Sequence, residues 1–294
     1  MKQFCTWVFF ILASSVAFAE EQIVWLTDNK DDISFLKTNN FHSIGTDTVN
    51  LVLNQLKGFE LTLKVASVSR MDEQLKSTTN TCVSNRIKTP SRAELNEFSL
   101  PVNMHPSPKL YFYADAVRLP ESVIENGALT SLSRLMEYNP DKKIALVENV
   151  SYGEEIDRQL QSLDDKYLTF LNVDNRFDAT FKLFFQRLVD FTIDYPSEMK
   201  VQLAKHSNTE KLSSIGFSTS KGYVLSHIAC SKSATGAAFI AAVNNALINL
   251  YSTEHLLAAH LRYIDKSSTL SFTKDFKQVF KPIEISNTVI TANK

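Results

Sequence analysis

The residues around Arg92 offer the clearest chemistry in the chain. Thr89-Pro90-Ser91-Arg92 is followed by Phe98-Ser99 and then by Pro101. This order places an arginine after one predicted strand and early in a predicted helix, with a second strand shortly beyond. A guanidinium is a planar fork of donors that matches a carboxylate in a bidentate pair. If the side chain faces a cleft, it indicates an anionic ligand. The alternative is a surface arginine that pairs with Glu94 or Glu97.

The elements that must position this arginine alternate between strands and helices along the chain. Apolar runs or alternating patterns predict strands over 22–27, 61–66, 110–116, 143–147, 167–173, 189–195 and 223–230. Apolar stripes predict helices over 46–56, 152–163, 178–188, 235–251 and 254–264, and one more that begins at Pro196. Thr46 or Asp47 is the predicted N-cap of the first helix, and Gly58 its stop. This order favours an α/β fold in which helices cover a largely parallel sheet.

Composition excludes several functions. The chain has 294 residues and a formal net charge of −1, so no basic surface favours nucleic acid or an anionic membrane. Only 7 glycines are present, and none forms a phosphate-binding loop. The six histidines are scattered, and the nearest pair, His255 and His260, does not have the spacing of two metal ligands on one helical face. We therefore expect no metal, no cofactor and no catalytic residue.

The N-terminus has the pattern of a secretory signal peptide. Lys2 precedes an apolar run over 4–16, and Ala17-Phe18-Ala19 is a small-x-small cleavage site. The apolar run is too short for the alternative, a membrane anchor. We predict cleavage after Ala19 and a periplasmic protein. Cleavage leaves Cys82 and Cys230, which in an oxidising compartment either form a disulfide or remain two buried thiols.

The motif and the order of the elements resemble the type 2 periplasmic solute-binding proteins. The matching family is extracellular solute-binding family 3, whose members bind amino acids. Thr89, Arg92, Phe98, Ser99 and Pro101 hold the places of that family's first-lobe signature. A further set of residues is similar to an uncharacterised branch of these exported proteins: Arg70, Leu75, Cys82 and Lys88-Thr89-Pro90-Ser91-Arg92.

The resemblance implies a type II periplasmic binding protein fold: two α/β lobes joined by two crossing strands, with a cleft between them. It divides the chain into a signal peptide (1–19), the first part of lobe one (20–109), lobe two with the crossing strands (110–229), and the return to lobe one with a C-terminal tail (230–294). The strand over 110–116 matches the first crossing strand, and 223–230 the return. The return strand would bring Cys230 beside Cys82, which favours the disulfide. We expect the tail to wrap the surface.

The resemblance also assigns roles in lobe one. Arg92 is expected to bind the ligand carboxylate. Thr89 is expected to cap its helix and could also donate its hydroxyl to that carboxylate. Trp25 corresponds to an aromatic wall against the ligand, or is an ordinary core tryptophan. Asp28, in the loop after the first strand, could face the cleft or solvent.

In lobe two the chain departs from the family pattern at two places. Ser151 and Tyr152 lie in a turn whose backbone N–H groups would meet the ligand carboxylate, but Asn149-Val150 replaces the usual Gly-Thr lead. The aspartate that holds the ligand ammonium is expected at the position of Tyr195, and Asp194 lies one residue earlier. A one-residue shift in a strand turns a side chain to the other face.

We therefore expect a monomeric, exported binding protein for a small polar, anionic or zwitterionic solute. Its partner would be the permease of an ABC importer or a membrane sensor. One alternative is an enzyme on the same fold, similar to cyclohexadienyl dehydratases, which needs a carboxyl group of raised pKa in the cleft. Another is an orphan sensor protein whose cleft is degenerate.

Overall fold

The computed structural model describes residues 20–38, 40–206, 211–218 and 221–292, with side chains throughout except at 177 and 284–292. The predicted signal peptide, residues 1–19, lies outside the described residues. The described chain folds into two α/β lobes, each with its own sheet and its own hydrophobic core.

The strands and helices follow one another as the apolar patterns indicate, with additional short elements. The strands are β1 (Glu21–Thr27), β2 (Phe59–Val65), β3 (Thr81–Arg86), β4 (Asn96–Phe98), β5 (Asn103–Pro106), β6 (Lys109–Tyr113), β7 (Ile124–Glu125), β8 (Ala128–Leu129), β9 (Ile144–Val147), β10 (Leu168–Leu171), β11 (Phe191–Asp194), β12 (Leu212–Phe217) and β13 (Tyr223–Ser231). The α-helices are α1 (Lys30–Phe35), α2 (Ile44–Leu53), α3 (Val68–Ser77), α4 (Pro90–Leu95), α5 (Leu132–Glu137), α6 (Glu154–Gln161), α7 (Arg176–Phe185), α8 (Pro196–Lys205), α9 (Ala234–Tyr251), α10 (Glu254–Leu261) and α11 (Thr269–Ala292).

Lobe one is built on a sheet in the order β2-β1-β3-β13-β4, with β5 paired to β13. β1 runs parallel to β2 and β3, whereas β13 is antiparallel to its neighbours. Parallel strands place their carboxyl ends at one edge of the sheet. The loops after β1 and β3 therefore lie side by side and face the other lobe.

Lobe two is built on a sheet in the order β10-β9-β11-β6-β12-β8-β7. The predicted crossing strand over 110–116 is β6, and it lies inside this sheet between β11 and β12, so that assignment was wrong. β5 and the first half of β13 pair across the connection between the lobes, where Ser226 faces Asn103. An alternating aromatic run indicates a buried strand, but it does not indicate which sheet receives the strand.

The two cysteines form the expected disulfide. Cys82 on β3 and Cys230 on β13 are bonded, and their strands pair with these two residues directly opposite. The bond joins positions 148 residues apart and lies in the core of lobe one. It ties the returning strand to the strand that leads into the Arg92 motif.

Helix boundaries follow local capping. Ser43, not Thr46 or Asp47, is the N-cap of α2, and Thr46 completes a capping box with it. Thr89 caps α4 as expected, accepting a hydrogen bond from the backbone N–H of Arg92 at 3.3 Å. Pro196 opens α8 at its first turn, as its fixed φ favours.

The C-terminal segment differs from the expected surface tail, because it forms the long helix α11. Phe272, Phe276 and Phe280 recur at a spacing of four and are buried in the core of lobe one. The Ser, Thr and Lys residues between them concealed this apolar stripe in the composition of the tail. No helix in the described ranges is long and apolar enough to cross a membrane.

Candidate functional site

A small cavity of about 70 Å3 lies between the two lobes. About 10–15 Å3 of such space holds one water molecule, so this interlobe cavity has room for a few water molecules. The charged residues of its lining are Asp28, Asp32, Arg86, Arg92, Arg176 and Glu198. Such a concentration of buried charge is costly unless the charges are paired or serve a ligand.

Each charged lining residue comes from the end of a strand or the start of a helix. Lobe one supplies the loops after β1 and β3 and the helix α4. Lobe two supplies the turn after β9 and the first turns of α7 and α8. In α/β folds the crevice beyond the carboxyl ends of the strands is where ligands bind. The fold therefore gathers these charges at a position suited to a small polar ligand.

Arg92 points into the space between the lobes. Its Nη1 donates to the carbonyl of Ile87 at 3.2 Å, and its Nη2 donates across the cleft to the carbonyl of Asn149 at 2.6 Å. The guanidinium forms no ion pair with a carboxylate of the described residues. Burial lowers its pKa. Arg92 thus carries a half-buried positive charge whose guanidinium, among the described residues, contacts only neutral carbonyls as hydrogen-bond partners.

Arg176 joins the lobes, and the sequence analysis did not identify it. Its Nε lies 2.7 Å from Oδ2 of Asp28, and its backbone N–H donates to the carbonyl of Asp28 at 3.2 Å. Burial alone would lower the pKa of this guanidinium, but the negative charges of Asp28 and Asp194 outweigh burial and raise the pKa above its ordinary value. The signal available in the sequence was the polar run 174–176 directly after the strand over 167–173, where ligand-facing loops occur.

Three carboxyl groups near the cavity have raised pKa values because they are buried. Burial raises the pKa of Asp32 to about 7 and that of Asp194 to about 6. For Glu198, burial and the nearby charge of Asp194 raise the pKa to about 8. Asp32 accepts a hydrogen bond from the hydroxyl of Thr27 at 2.6 Å, which only partly offsets the cost of its charge.

Glu198 is the least satisfied of these groups and was also missed by the sequence analysis. Within the described residues its carboxyl group makes no hydrogen bond and no ion pair, although it lines the cavity. Its position in the first turn of α8, two residues after Pro196, made it look like an ordinary helix-start acid. The cavity thus brings together a guanidinium without a carboxylate and a carboxyl group without a cation.

The predicted anion-binding turn at Ser151 and Tyr152 needs correction, because its donors are already occupied. Asp157 accepts hydrogen bonds from the Ser151 hydroxyl and from the Tyr152 backbone N–H, the latter at 2.7 Å. The carboxylate of the chain itself therefore fills the place expected for a ligand carboxylate. Ser151 still lines the cavity, whereas the Tyr152 ring packs into the core of lobe two.

The remaining predicted residues divide between the cavity and the core. Of the two alternatives for Trp25, the structure has the core tryptophan and not the ligand wall, because its ring is fully buried in the core of lobe one against Phe239. Asp194 lies beside the cavity and accepts a hydrogen bond from the backbone N–H of Tyr195 at 2.7 Å. The Tyr195 ring lines the cavity and lies 5.0 Å from the ring of His105.

Two buried polar atoms, one on β5 and one on β13, also face this region. Nδ1 of His105 and the hydroxyl of Ser226 have no hydrogen-bond partner in the described part of the chain, and both residues line the cavity. Buried polar atoms are normally satisfied by protein, water or ligand. They therefore add two positions at which a polar guest could be recognised.

Further polar contacts hold the lobes together around the cavity. The backbone N–H of Ser67 donates to Asp174 at 2.9 Å, and Nδ2 of Asn149 donates to Ser69 at 3.0 Å. Lys30 pairs with Asp178 at 2.7 Å on the surface. These contacts make the described arrangement a closed one. No cluster of three or more metal-ligating side chains occurs in the described ranges.

Comparisons with known proteins identify the fold. No protein-family model matches the sequence, and no curated protein is significantly similar to it. One similar solved structure comes from work on glutathione import via GshT and the cystine ABC importer TcyBC of Streptococcus mutans. Its TM-score against this chain is 0.59, at 16% sequence identity. The match covers 83% of this chain and 95% of that one.

Two other solved structures have the same arrangement. An arginine-specific periplasmic binding protein of Salmonella typhimurium has a TM-score of 0.57 at 15% identity, covering 83% of this chain and all of that one (100%). A histidine kinase sensor domain similar to periplasmic binding proteins has a TM-score of 0.60 at 14% identity, covering 84% and 97%. At these identities the likeness shows the fold alone: this chain has the type II periplasmic binding protein fold.

Proposed function

We propose that this chain is an exported, non-catalytic binding protein that captures a zwitterionic, amino-acid-like solute between its lobes. The observation that carries the proposal is a guanidinium and a carboxyl group at one cavity, each left without an oppositely charged partner. Because burial raises the pKa of Glu198, this carboxyl group would ionise on binding an ammonium group. Within the described residues Arg92 forms no ion pair with a carboxylate, and Glu198 forms none with a cation. A solute that bears a carboxylate and an ammonium group would satisfy both charges at once.

In this proposal Arg92 binds the solute carboxylate and Glu198 the ammonium group, with Asp194 beside it. Glu198 then replaces the aspartate that the family pattern places at Tyr195. Asp28 and Arg176 do not bind the solute directly, because they neutralise each other across the cleft. Opening would separate this pair and admit the solute, with β5 and β13 as the hinge.

The structural neighbours support a role in solute capture. They include proteins associated with glutathione, arginine and cysteine, and a sensor domain of a histidine kinase. We accordingly propose a periplasmic monomer whose partner is an ABC importer or a membrane sensor. Its lobes would divide as in the sequence analysis, at residues 110 and 230, after cleavage at Ala19.

One observation favours a second candidate function. A dehydratase acting on a cyclic carboxylate needs a protonated carboxyl group beside its substrate, and burial keeps Glu198 protonated near neutral pH. Incubation with prephenate tests this candidate. Product formation that is abolished in Glu198→Gln would favour the enzyme, whereas binding without turnover would favour the solute-binding protein.

The binding proposal is tested by calorimetry with a panel of amino acids and carboxylic acids. Replacing Arg92 with Ala should weaken binding of the tightest ligand by about a hundredfold or more, because a buried charge-assisted pair is lost. The matched control is Arg134→Ala, since Arg134 is exposed on α5 and its side chain lies outside the cleft. Equal affinity in the Arg92→Ala variant and the wild type would refute the proposed role of Arg92.

A further inference from the structure

A second and much larger hollow adjoins the interlobe cavity on the far side of Arg92. This outer groove has a volume of about 790 Å3 and is bounded by α4 of lobe one and by β9, α6 and β10 of lobe two. Ile87, Arg92, Val150 and Ser151 line both hollows. Pockets for small molecules commonly have volumes of about 300–1,000 Å3, so of these two adjoining hollows the outer groove is the one of ligand size in this closed arrangement.

One contact of the Arg92 guanidinium lies where the two hollows meet. Arg92 Nη2 donates to the carbonyl of Asn149, and this bond closes the gap between α4 and the turn after β9. The Asn149 backbone has a φ of 61°, a conformation that asparagine adopts more readily than most residues. A carboxylate on Arg92 would therefore lie at the passage between the cavity and the groove, and the rest of its molecule could extend outward.

The groove has a basic lip, an apolar floor and an acidic far rim. Lys88 stands beside Arg92 at the lip, is exposed, and forms no ion pair within the described residues. Leu168 and Phe170 alternate along β10 and form the floor, where Phe170 is 53% exposed. The acidic rim consists of Glu154, Asp157 and Asp165, together with one base, Arg158, which pairs with Glu155.

The floor strand also offers main-chain groups to a guest. β10 is the outermost strand of its sheet and pairs only with β9 among the described strands. One edge of its backbone is therefore left without a strand partner, which is where extended peptides add to sheets. A fatty acid has no main-chain groups with which to pair along this edge, whereas a peptide has them.

We propose that the solute is a short peptide with an apolar side chain, which occupies the outer groove. Its C-terminal carboxylate lies on Arg92 and Lys88, its apolar side chain on Phe170 and Leu168, and its N-terminal ammonium toward the acidic rim. This inference rests on the proposed function for the anchoring role of Arg92, and it extends the ligand class beyond single amino acids. A single amino acid would place its ammonium group at Glu198, whereas a peptide that extends outward from Arg92 would place its ammonium group at the acidic rim instead.

The test compares matched probes by calorimetry: leucine with the dipeptide Ala-Leu, and arginine with Ala-Arg. We expect at least one dipeptide to bind about tenfold more tightly than the amino acid with which it ends. Phe170→Asp should remove this advantage and leave the amino acid unchanged. Leu270→Asp is the control, because Leu270 is 86% exposed on α11, away from the groove.

The possible outcomes separate this inference from the proposed function. If amino acids bind as tightly as dipeptides and Phe170→Asp changes neither affinity, the peptide groove is refuted and the proposed function stands. If no amino acid and no dipeptide binds, the proposed function fails as well. N-acetyl-leucine completes the set, because its binding as tightly as Ala-Leu would contradict a role for the ammonium group at the acidic rim.

Discussion

Replacing Glu198 with Gln tests whether a buried carboxyl group faces the cleft without a partner. Burial and Asp194 raise the pKa of Glu198 from 4.5 to about 8 in the folded protein. A carboxyl group whose folded-state pKa is raised contributes stability below its unfolded pKa, and this contribution is lost as the pH rises through the folded pKa. Glu198 therefore lowers the stability of the folded protein progressively between about pH 4.5 and about pH 8.

The magnitude follows from the size of the shift. Each pKa unit corresponds to about 1.4 kcal/mol, so the full shift corresponds to about 4–5 kcal/mol, and to about 3 kcal/mol when partial solvent access is allowed for. Gln has nearly the same shape and does not titrate. We expect wild type and Glu198→Gln to be similarly stable at pH 5, and the variant to be more stable by about 3 kcal/mol at pH 8.5.

Urea unfolding followed by circular dichroism, at half-unit steps from pH 5 to pH 9, measures this difference. Asp32 and Asp194 still titrate in the variant, so its stability also falls with pH, but less steeply. Glu94→Gln on the exposed face of α4 is the control and should leave the wild-type curve unchanged. Parallel curves for wild type and Glu198→Gln across the whole range would refute the reasoning.

Two further predictions concern the core of lobe one. Replacing both Cys82 and Cys230 with Ser should lower the free energy of unfolding by about 5 kcal/mol, which is the loop-entropy value for a separation of 148 residues. Denaturant titration of the double variant measures this loss, and an unchanged unfolding midpoint would contradict it. Neutral His260 accepts from the N–H of Met104 at 3.0 Å and donates to the carbonyl of Leu256 at 2.7 Å, and burial lowers its pKa to about 4. The wild type should therefore lose about 3 kcal/mol of stability as the pH falls from 6.5 to 4, a loss absent from His260→Gln, and coincident acid-unfolding curves would contradict this.

Much of the fold could be predicted from local patterns. The strand over 22–27, the helix over 235–251 and the helix opened by Pro196 occur close to their predicted bounds, because apolar periodicity and proline geometry act over a few residues. Prediction failed where a segment's place in the fold depends on pairing with strands that are distant in the sequence. The segment 110–116 is a strand, but its sheet depends on pairing with β11 and β12. The C-terminal helix was hidden because only three phenylalanines mark its buried side.

The candidate site was predictable only in part. Arg92 and Asp28 lie at the interlobe cavity, as the motif and the strand end indicated. Arg176 and Glu198 were missed, since a charged residue near a helix start has the same pattern whether it faces water or a second lobe. Trp25 was ambiguous for the converse reason, because an aromatic residue on a central strand suits a ligand wall and a core equally well.

By itself, the sequence determined the order of strands and helices, the Arg92 motif and the two cysteines available for a disulfide, because these depend on residue types and short spacings. Only the tertiary structure decided which charges share a cavity and which of them lack a partner. The reason is that burial and pairing depend on residues far apart in the chain: Arg176 and Asp28 meet across the cleft, and Asp157 fills the turn that the sequence pattern left open to a ligand.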